Sequence, residues 1–218
     1  MDPFRGRQNP ESRDFTQVAA DAPLAARARP ERLDELVGQR HLLAEGSPLR
    51  ASIERDELFS FIMYGPASSG KTTLASLIAR ITRHHVETRS AVTASVKDLR
   101  RIGEQARERR RVTGRRTVLF VDEIHRFNKA QQDSFLPFVE SGDLLLIGAT
   151  TENPFFELNS PLLSRAPVFQ FEPLTEGDLY ELLERAVKRH LLTPDEKPFK
   201  GDPRSEEHTS ELQSRQVI

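Results

Sequence analysis

The stretch Gly65-Pro66-Ala67-Ser68-Ser69-Gly70-Lys71-Thr72 constrains this chain more than any other. Its spacing is G-x-x-x-x-G-K-[ST], the loop that turns a strand into a helix around an anion. The flanks agree with it. Ser60-Phe61-Ile62-Met63-Tyr64 is an apolar run that reads as a buried strand. After the loop, Leu74, Ala75, Leu77, Ile78 and Ile81 recur at helical spacing up to Arg83. Backbone N–H groups and the positive end of the helix then converge on a phosphate. In this pattern Lys71 reaches the β/γ-phosphates of ATP and Thr72 sets its hydroxyl on Mg²⁺. Gly65, Pro66, Ala67, Ser68, Ser69, Gly70 and Thr73 complete the candidate contacts to the nucleotide. A glycine turn before an ordinary helix is the plainer reading, and the matching flanks weigh against it.

At 218 residues the chain holds one domain, or one domain and part of a second. The net charge of −1 advertises no nucleic-acid surface for the chain as a whole, so any basic patch must be local. With no cysteine, disulfide frameworks and cysteine zinc sites are excluded, which fits a reducing cytoplasm. No apolar run approaches the ~20 residues that span a bilayer, and no apolar segment follows the first charges as in a signal peptide.

The two ends differ from the middle. Residues 1–22 are polar without apolar periodicity and read as a disordered arm. Residues 204–208, Arg-Ser-Glu-Glu-His, are what the opening codons of a common short-read sequencing adapter encode. Residues 204–218 are therefore set aside as an adapter-derived artefact, and His208 with them. The expectation is that the native protein continues past Pro203 with other sequence. That leaves 23–190 as the domain core and 191–203 as the start of a connection.

Between the ends, strands and helices alternate. Ser47-Pro48 opens a helix to about Arg55. His85 to Thr88 is a weak strand candidate. Ser95-Val96-Lys97-Asp98 is a capping box before a helix whose apolar face is Val96, Leu99, Ile102, Gly103 and Ala106. Thr117-Val118-Leu119-Phe120-Val121 and Leu144 to Ala149 read as buried strands, with a helix over 128–140 that Pro137 bends or ends early. Val168 to Phe171 is a last strand, and Thr175 caps a helix carrying Leu179, Leu182, Leu183, Ala186 and Val187. Strands apolar on both faces, alternating with helices, imply a parallel sheet covered on both sides.

Asp122-Glu123 follows directly on an apolar strand. There Asp122 holds Mg²⁺ and Glu123 accepts the proton of an attacking water. A strand-ending acidic pair on the surface is the bland alternative. At the end of the next strand Thr151 is the choice for a group that orients the water, with Thr150 or Asn153 as alternatives. Arg165 is either a solvated side chain or a finger that reaches a neighbouring subunit's γ-phosphate.

Taken together these residues resemble the AAA+ ATPases, P-loop NTPases, and within them the replication-associated recombination protein A family, which includes the eukaryotic Werner-helicase-interacting protein. The likeness spans about Pro23 to Arg189. It rests on Leu33-Asp34-Glu35-Leu36-Val37-Gly38-Gln39, on Asp122-Glu123-Ile124-His125-Arg126-Phe127-Asn128-Lys129, on Gly148-Ala149-Thr150-Thr151-Glu152-Asn153-Pro154 and on Asn159-Ser160-Pro161-Leu162-Leu163-Ser164-Arg165. The resemblance implies a five-stranded parallel sheet with helices on both faces. It implies that Arg29, Pro30, Val37 and Gly38 lie against adenine, that Thr151 is the first sensor and that Arg165 is a finger given in trans. It also implies a tetramer acting on DNA ends, gaps or stalled forks, partners such as single-strand-binding protein, and a cytoplasmic, nucleoid-associated place in a bacterium. The helical lid with its second sensor arginine, and the tetramerising domain, would lie past residue 203, so impaired hydrolysis is expected of this chain alone.

The loop departs from the family's usual Gly-Pro-Pro-Gly-Thr-Gly-Lys-Thr. Ser68 stands where glycine is usual, so a residue with a side chain must take a glycine-like backbone conformation. The arginines at 100, 101, 107, 109, 110, 111, 115 and 116 either track DNA phosphates or form a solvated face offset by Glu104 and Glu108, and the second reading is favoured. His84, His85 and His125 lack metal-ligand spacing, and His125 reads as a packing or coupling residue. Two other classes remain in view. One is a nucleotide-holding interaction module without turnover, for this chain taken without the lid and assembly contacts expected past residue 203; for a longer protein Lys71 and Glu123 argue against it. The other is a small-molecule phosphotransferase, which leaves Glu123, Thr151 and Arg165 without tasks.

Overall fold

The computed structural model describes residues 29–191. The disordered-arm and adapter expectations, residues 23–28 and the connection after 191 lie outside the described residues. Five strands form one sheet: β1 Phe61–Tyr64, β2 His85–Ser90, β3 Thr117–Asp122, β4 Leu144–Thr150 and β5 Val168–Gln170. Their order is β2-β3-β4-β1-β5, and every pairing is parallel. This is the predicted sheet, with β2 running on through Arg89 and Ser90 beyond the short segment expected.

The period-two alternation of strands sorts their side chains onto two faces. Ile62, Leu119, Val121, Leu144 and Leu146 point to one side. There they meet Leu99, Ile102 and Ala106 of a helix over Val96–Thr113 and Phe135, Phe138 and Val139 of a helix over Lys129–Glu140. Phe61, Met63, Val118, Phe120, Leu145 and Ile147 point to the other side. They pack on Leu49 and Ile53 of a helix over Pro48–Glu54 and on Leu74, Ala75 and Ile78 of a helix over Lys71–Ile81. Each fully buried aliphatic or aromatic side chain contributes about 1.5–3 kcal/mol relative to exposure.

In chain order the helices are α1 Arg40–Leu43, α2 Pro48–Glu54, α3 Lys71–Ile81, α4 Val96–Thr113, α5 Lys129–Glu140, α6 Pro154–Glu157, α7 Ser160–Leu163 and α8 Glu176–Leu191. Local chemistry explains their ends. Ser95 and Asp98 close the capping box of α4, and Gly114 in the left-handed region stops it. Asn128 and Gln131 close another box at α5.

Pro137 does not end α5. The helix carries on to Glu140, where the Ser141 N–H donates to the Pro137 carbonyl at 3.1 Å. Proline removes the one amide that would have reached back a turn, but Phe135, Phe138 and Val139 around it are seated in the core. Burial of those side chains outweighs the single missing bond.

The short helices α6 and α7 escape a periodicity reading because each is a single turn. Their signals are asparagine caps followed by proline. Asn153 Oδ1 accepts from the Phe155 N–H at 3.0 Å, and Asn159 Oδ1 accepts from the Leu162 N–H at 3.1 Å. No helix among the described residues is long and apolar enough to cross a membrane.

Candidate active site

The strand order explains why motifs far apart in sequence meet. β3, β4 and β1 are neighbours, and all run the same way. The loop after β1, the acidic pair after β3 and the threonines after β4 therefore emerge side by side at one edge. Such carboxyl ends are where open α/β sheets bind ligands. Tyr64 of β1 stands opposite Thr150 of β4, so the glycine loop starts level with the end of β4.

A cavity of about 330 Å³ opens there. Lys71, Thr72, Asp122, Glu123 and Thr151 all line it, as do Ala67, Ser68, Ser69, Gly70 and Thr73. On the far side it is bounded by Pro30, Glu35, Leu36 and Val37 from the N-terminal segment and by Leu174 and Leu182. Arg29, Gly38, Gly65 and Pro66 are not part of the lining. Gly65 answers a packing demand instead: a Cβ there would come within 2.2 Å of the Phe171 carbonyl oxygen.

The glycine-like conformation anticipated at Ser68 is present, with φ at 61°. Gly70 has φ at 95° and leads into α3. Lys71 is buried, and its Nζ is folded into its own loop. It donates to the carbonyls of Gly65 at 2.8 Å and Pro66 at 2.6 Å and reaches Ser69 Oγ at 3.3 Å. Burial pulls the Lys71 ammonium below its ordinary value, and the charges of Asp122 and Glu123 oppose that pull. An anion entering the loop would compete with those carbonyls for the same ammonium.

Glu123 sits in the left-handed region, φ 56° and ψ 42°, at the point where β3 turns into a 3₁₀ turn over Ile124–Arg126. Its carboxylate faces His125 Nε2 at 3.2 Å and Arg126 Nε at 3.5 Å. The three polar candidates after β4 separate by position. Thr150 is buried, and its hydroxyl engages the backbone of Glu152 and the ring of His125. Asn153 caps α6. Thr151 alone of the three lines the cavity.

Among the described residues no group of three or more His, Cys, Asp or Glu could hold a metal by itself. Asp122 and Thr72 do share the cavity wall. That donor set fits Mg²⁺, which takes one or two protein ligands and fills its shell with phosphate oxygens and water.

Arg165 is not at this cavity. Its Nη2 pairs with Glu140 Oε1 at 2.8 Å, and Nη1 donates to the Pro161 carbonyl at 2.8 Å. The arginines of α4 are largely engaged at home: Arg101 with Asp98, Arg107 and Arg110 with Asp143, Arg111 with Glu108, and buried Arg109 with the Thr117 hydroxyl. That arrangement favours the solvated-face reading.

Several residues gain a place that the sequence did not assign, Gln39, Leu182 and Arg185 among them. Gln39 is buried, and its amide holds both the loop and the segment after β5. Leu182 stood out only as one of the apolar positions of α8, yet it closes the cavity. Arg185, on the same helix, donates to the Glu35 carbonyl and holds α8 against the N-terminal segment.

The ATPase family associated with various cellular activities, AAA, matches residues 61–174. The chain is 55% identical over 166 residues to replication-associated recombination protein A of Escherichia coli strain K12, covering 76% of this chain and 37% of that protein. It is 46% identical over 167 residues to ATPase WRNIP1 of Dictyostelium discoideum, covering 77% of this chain and 19% of that one. The chain thus spans little more than a third of the bacterial relative's length. Among solved structures it is similar to the Thermotoga maritima RuvB Holliday junction branch migration motor, with a TM-score of 0.58 and 33% identity over 74% of this chain and 54% of that one.

Proposed function

This chain belongs to the AAA family of ATPases, and from that premise we propose that it binds ATP with Mg²⁺ in the cavity at the sheet edge and hydrolyses it. The observation that carries the proposal is the shared wall: Lys71 and Thr72 at the start of α3, Asp122 and Glu123 at the end of β3 and Thr151 just after β4 line one cavity. Lys71 and the loop amides hold the phosphates. Thr72 and Asp122 hold the metal, which when bound offsets phosphate charge. Glu123 accepts the proton of the attacking water, and Thr151 orients that water. Pro30 and Val37, which bound the apolar side of the cavity, receive the base, with Arg29 and Gly38 shaping the segment behind them.

The similarity to replication-associated recombination protein A supports a role for the whole protein in replication-associated recombination. In that reading ATP turnover drives work on DNA ends, gaps or forks, in an oligomer and alongside proteins such as single-strand-binding protein. Arg165 then serves the neighbouring subunit.

The test is Glu123→Gln in the whole protein. ATP binding should persist while turnover falls by about 100-fold or more, the usual worth of a positioned base. Unchanged turnover removes Glu123 from the role. A second reading, a nucleotide-holding module without turnover, is favoured by one observation. Among the described residues no arginine lines the cavity, Arg165 being engaged with Glu140. Absence of phosphate release by the 218-residue chain, with DNA and without it, while ATP still binds, would select it.

A further inference from the structure

His125 stands between the two strands that carry the candidate chemistry. Its Nε2 lies 3.2 Å from Glu123 Oε2, and its Nδ1 lies 2.9 Å from Thr150 Oγ1. Its side chain is 13% exposed, whereas Arg126, the other group facing Glu123, is 58% exposed. An exposed ion pair contributes little, so the enclosed contact decides where the carboxylate points.

Thr150 has one hydroxyl proton, for which the Glu152 carbonyl at 3.0 Å and His125 Nδ1 at 2.9 Å are both in reach, and its oxygen also accepts from the Glu152 N–H at 3.0 Å. A carboxylate at 3.2 Å from Nε2 requires a proton on that nitrogen. A neutral ring with its proton on Nε2 has a bare Nδ1, and the Thr150 hydroxyl then turns its one proton from the Glu152 carbonyl to that nitrogen. A doubly protonated ring donates at both ends. In either form the imidazole joins Glu123 at the end of β3 to Thr150 at the end of β4, next to Thr151 on the cavity wall.

We propose that His125 is a positioning residue: it holds the Glu123 carboxylate for proton acceptance and ties that orientation to the end of β4. The inference rests on the hydrolysis reading above. It follows from two features. Glu123 is half-exposed, and of the two groups that face its carboxylate only His125 is enclosed. A base displaced by ~1 Å forfeits up to about 100-fold in rate.

The test compares two variants of matched bulk in the whole protein, His125→Leu and His125→Gln. The leucine keeps the packing and removes both polar contacts; the glutamine amide still donates toward Glu123. The expected result is a kcat about 10-fold or more lower for His125→Leu, with the Kd for ATP within about two-fold of the parent, and recovery of most of that loss in His125→Gln. Equal rates for the two variants, or a His125→Leu rate matching the parent, overturn the inference. Glu123→Gln run alongside separates the two claims. Undiminished turnover there overturns the hydrolysis reading and this inference with it. Lost turnover there with normal His125→Leu overturns this inference alone. If His125→Leu does not fold, the ring ¹⁵N resonances of His125 serve instead: Glu123→Gln should move Nε2, and an unmoved Nε2 overturns the contact.

Discussion

The Gln39 amide nitrogen donates to the Ser69 carbonyl of the glycine loop at 3.1 Å, across thirty positions of sequence. The same nitrogen donates to the Glu172 carbonyl at 2.7 Å, and the amide oxygen accepts from the Glu172 N–H at 2.9 Å. One buried side chain thus joins the N-terminal segment, the phosphate loop and the segment after β5. Those three pieces surround the cavity from different sides, so the shape of the site depends on a residue that is not in its lining.

Gln39→Ala should strip this partner from the buried Ser69 carbonyl and from the part-buried backbone groups of Glu172. Each such loss costs about 1–3 kcal/mol, so a destabilisation of roughly 2 kcal/mol or more is expected in urea unfolding. ATP affinity should fall as well, because the loop and the N-terminal wall lose their common tether. A variant with parent-like stability and affinity would show that the tether is dispensable.

Ser68 tests the opposite sign. At φ 61° a serine carries the left-handed penalty of roughly 1–2 kcal/mol. Glycine removes it but restores about 0.5–1 kcal/mol of unfolded-chain entropy. The balance favours Ser68→Gly by up to about 1 kcal/mol, read as a higher melting temperature of the nucleotide-free protein. A fall in melting temperature would mean that the serine side chain makes a compensating contact.

Much of this arrangement was legible in the sequence, for a physical reason. The glycine loop, the acidic pair and the buried strands are signalled by residues adjacent in the chain, so spacing alone carries them. Thr151 could be named only with Thr150 and Asn153 beside it, because polar residues clustered at a strand end look alike until the backbone turns. The turn buries Thr150, commits Asn153 to a cap and leaves Thr151 on the wall. Gln39 reaches Ser69 and Glu172, and His125 links nearby Glu123 to distant Thr150; no local pattern encodes the contacts that are remote in sequence. Of the two effects expected of Pro137, the early end does not occur, because propensity is local while the burial of Phe135 and Phe138 is tertiary.

Gly103 is needed for packing and not for backbone freedom. A Cβ there would fall 2.1 Å from the Phe138 ring, which also carries the Arg107 guanidinium 4.8 Å from its centroid. Alanine is the better helix former by about 1 kcal/mol. Overpacking a filled core costs about 1–3 kcal/mol, and here the ring cannot retreat freely. Gly103→Ala should therefore destabilise by about 1 kcal/mol while leaving ATP affinity unchanged, measured by urea midpoint and nucleotide titration. Stabilisation instead would mean that the ring can move aside.

Acid should weaken the β2 edge through Glu87. Burial pushes this carboxyl up, but the His85 hydrogen bond at 2.9 Å and the charges of Arg89, His85 and Arg109 outweigh it, and the net shift is downward from 4.5. A depressed folded-state value stabilises the protein above the unfolded value. That stability is lost as pH falls below about 4.5 and through the lower folded value. Glu87→Gln should be less stable than the parent near neutrality and should show a shallower decline below pH 4.5 in urea midpoints. Parallel pH curves for the two proteins would remove Glu87 from acid unfolding.

Arg165 carries the prediction about assembly. Its guanidinium pairs with Glu140 at 2.8 Å and takes no part in the cavity of its own chain. If it serves a neighbour, Arg165→Ala in the whole protein keeps ATP affinity and loses turnover by about 10³-fold, the low end for a finger of this kind. Glu123→Gln should lose turnover by a different route. The two defects then lie on opposite sides of a shared site. Mixing the two inactive proteins under conditions that exchange subunits should restore activity, because an intact Arg165 from one variant meets an intact Glu123 from the other. A structural role for Arg165 within its own chain predicts no recovery, since every subunit would remain defective by itself. Recovery on mixing, measured as phosphate release against subunit ratio, therefore distinguishes a site shared between copies from one complete within a single chain.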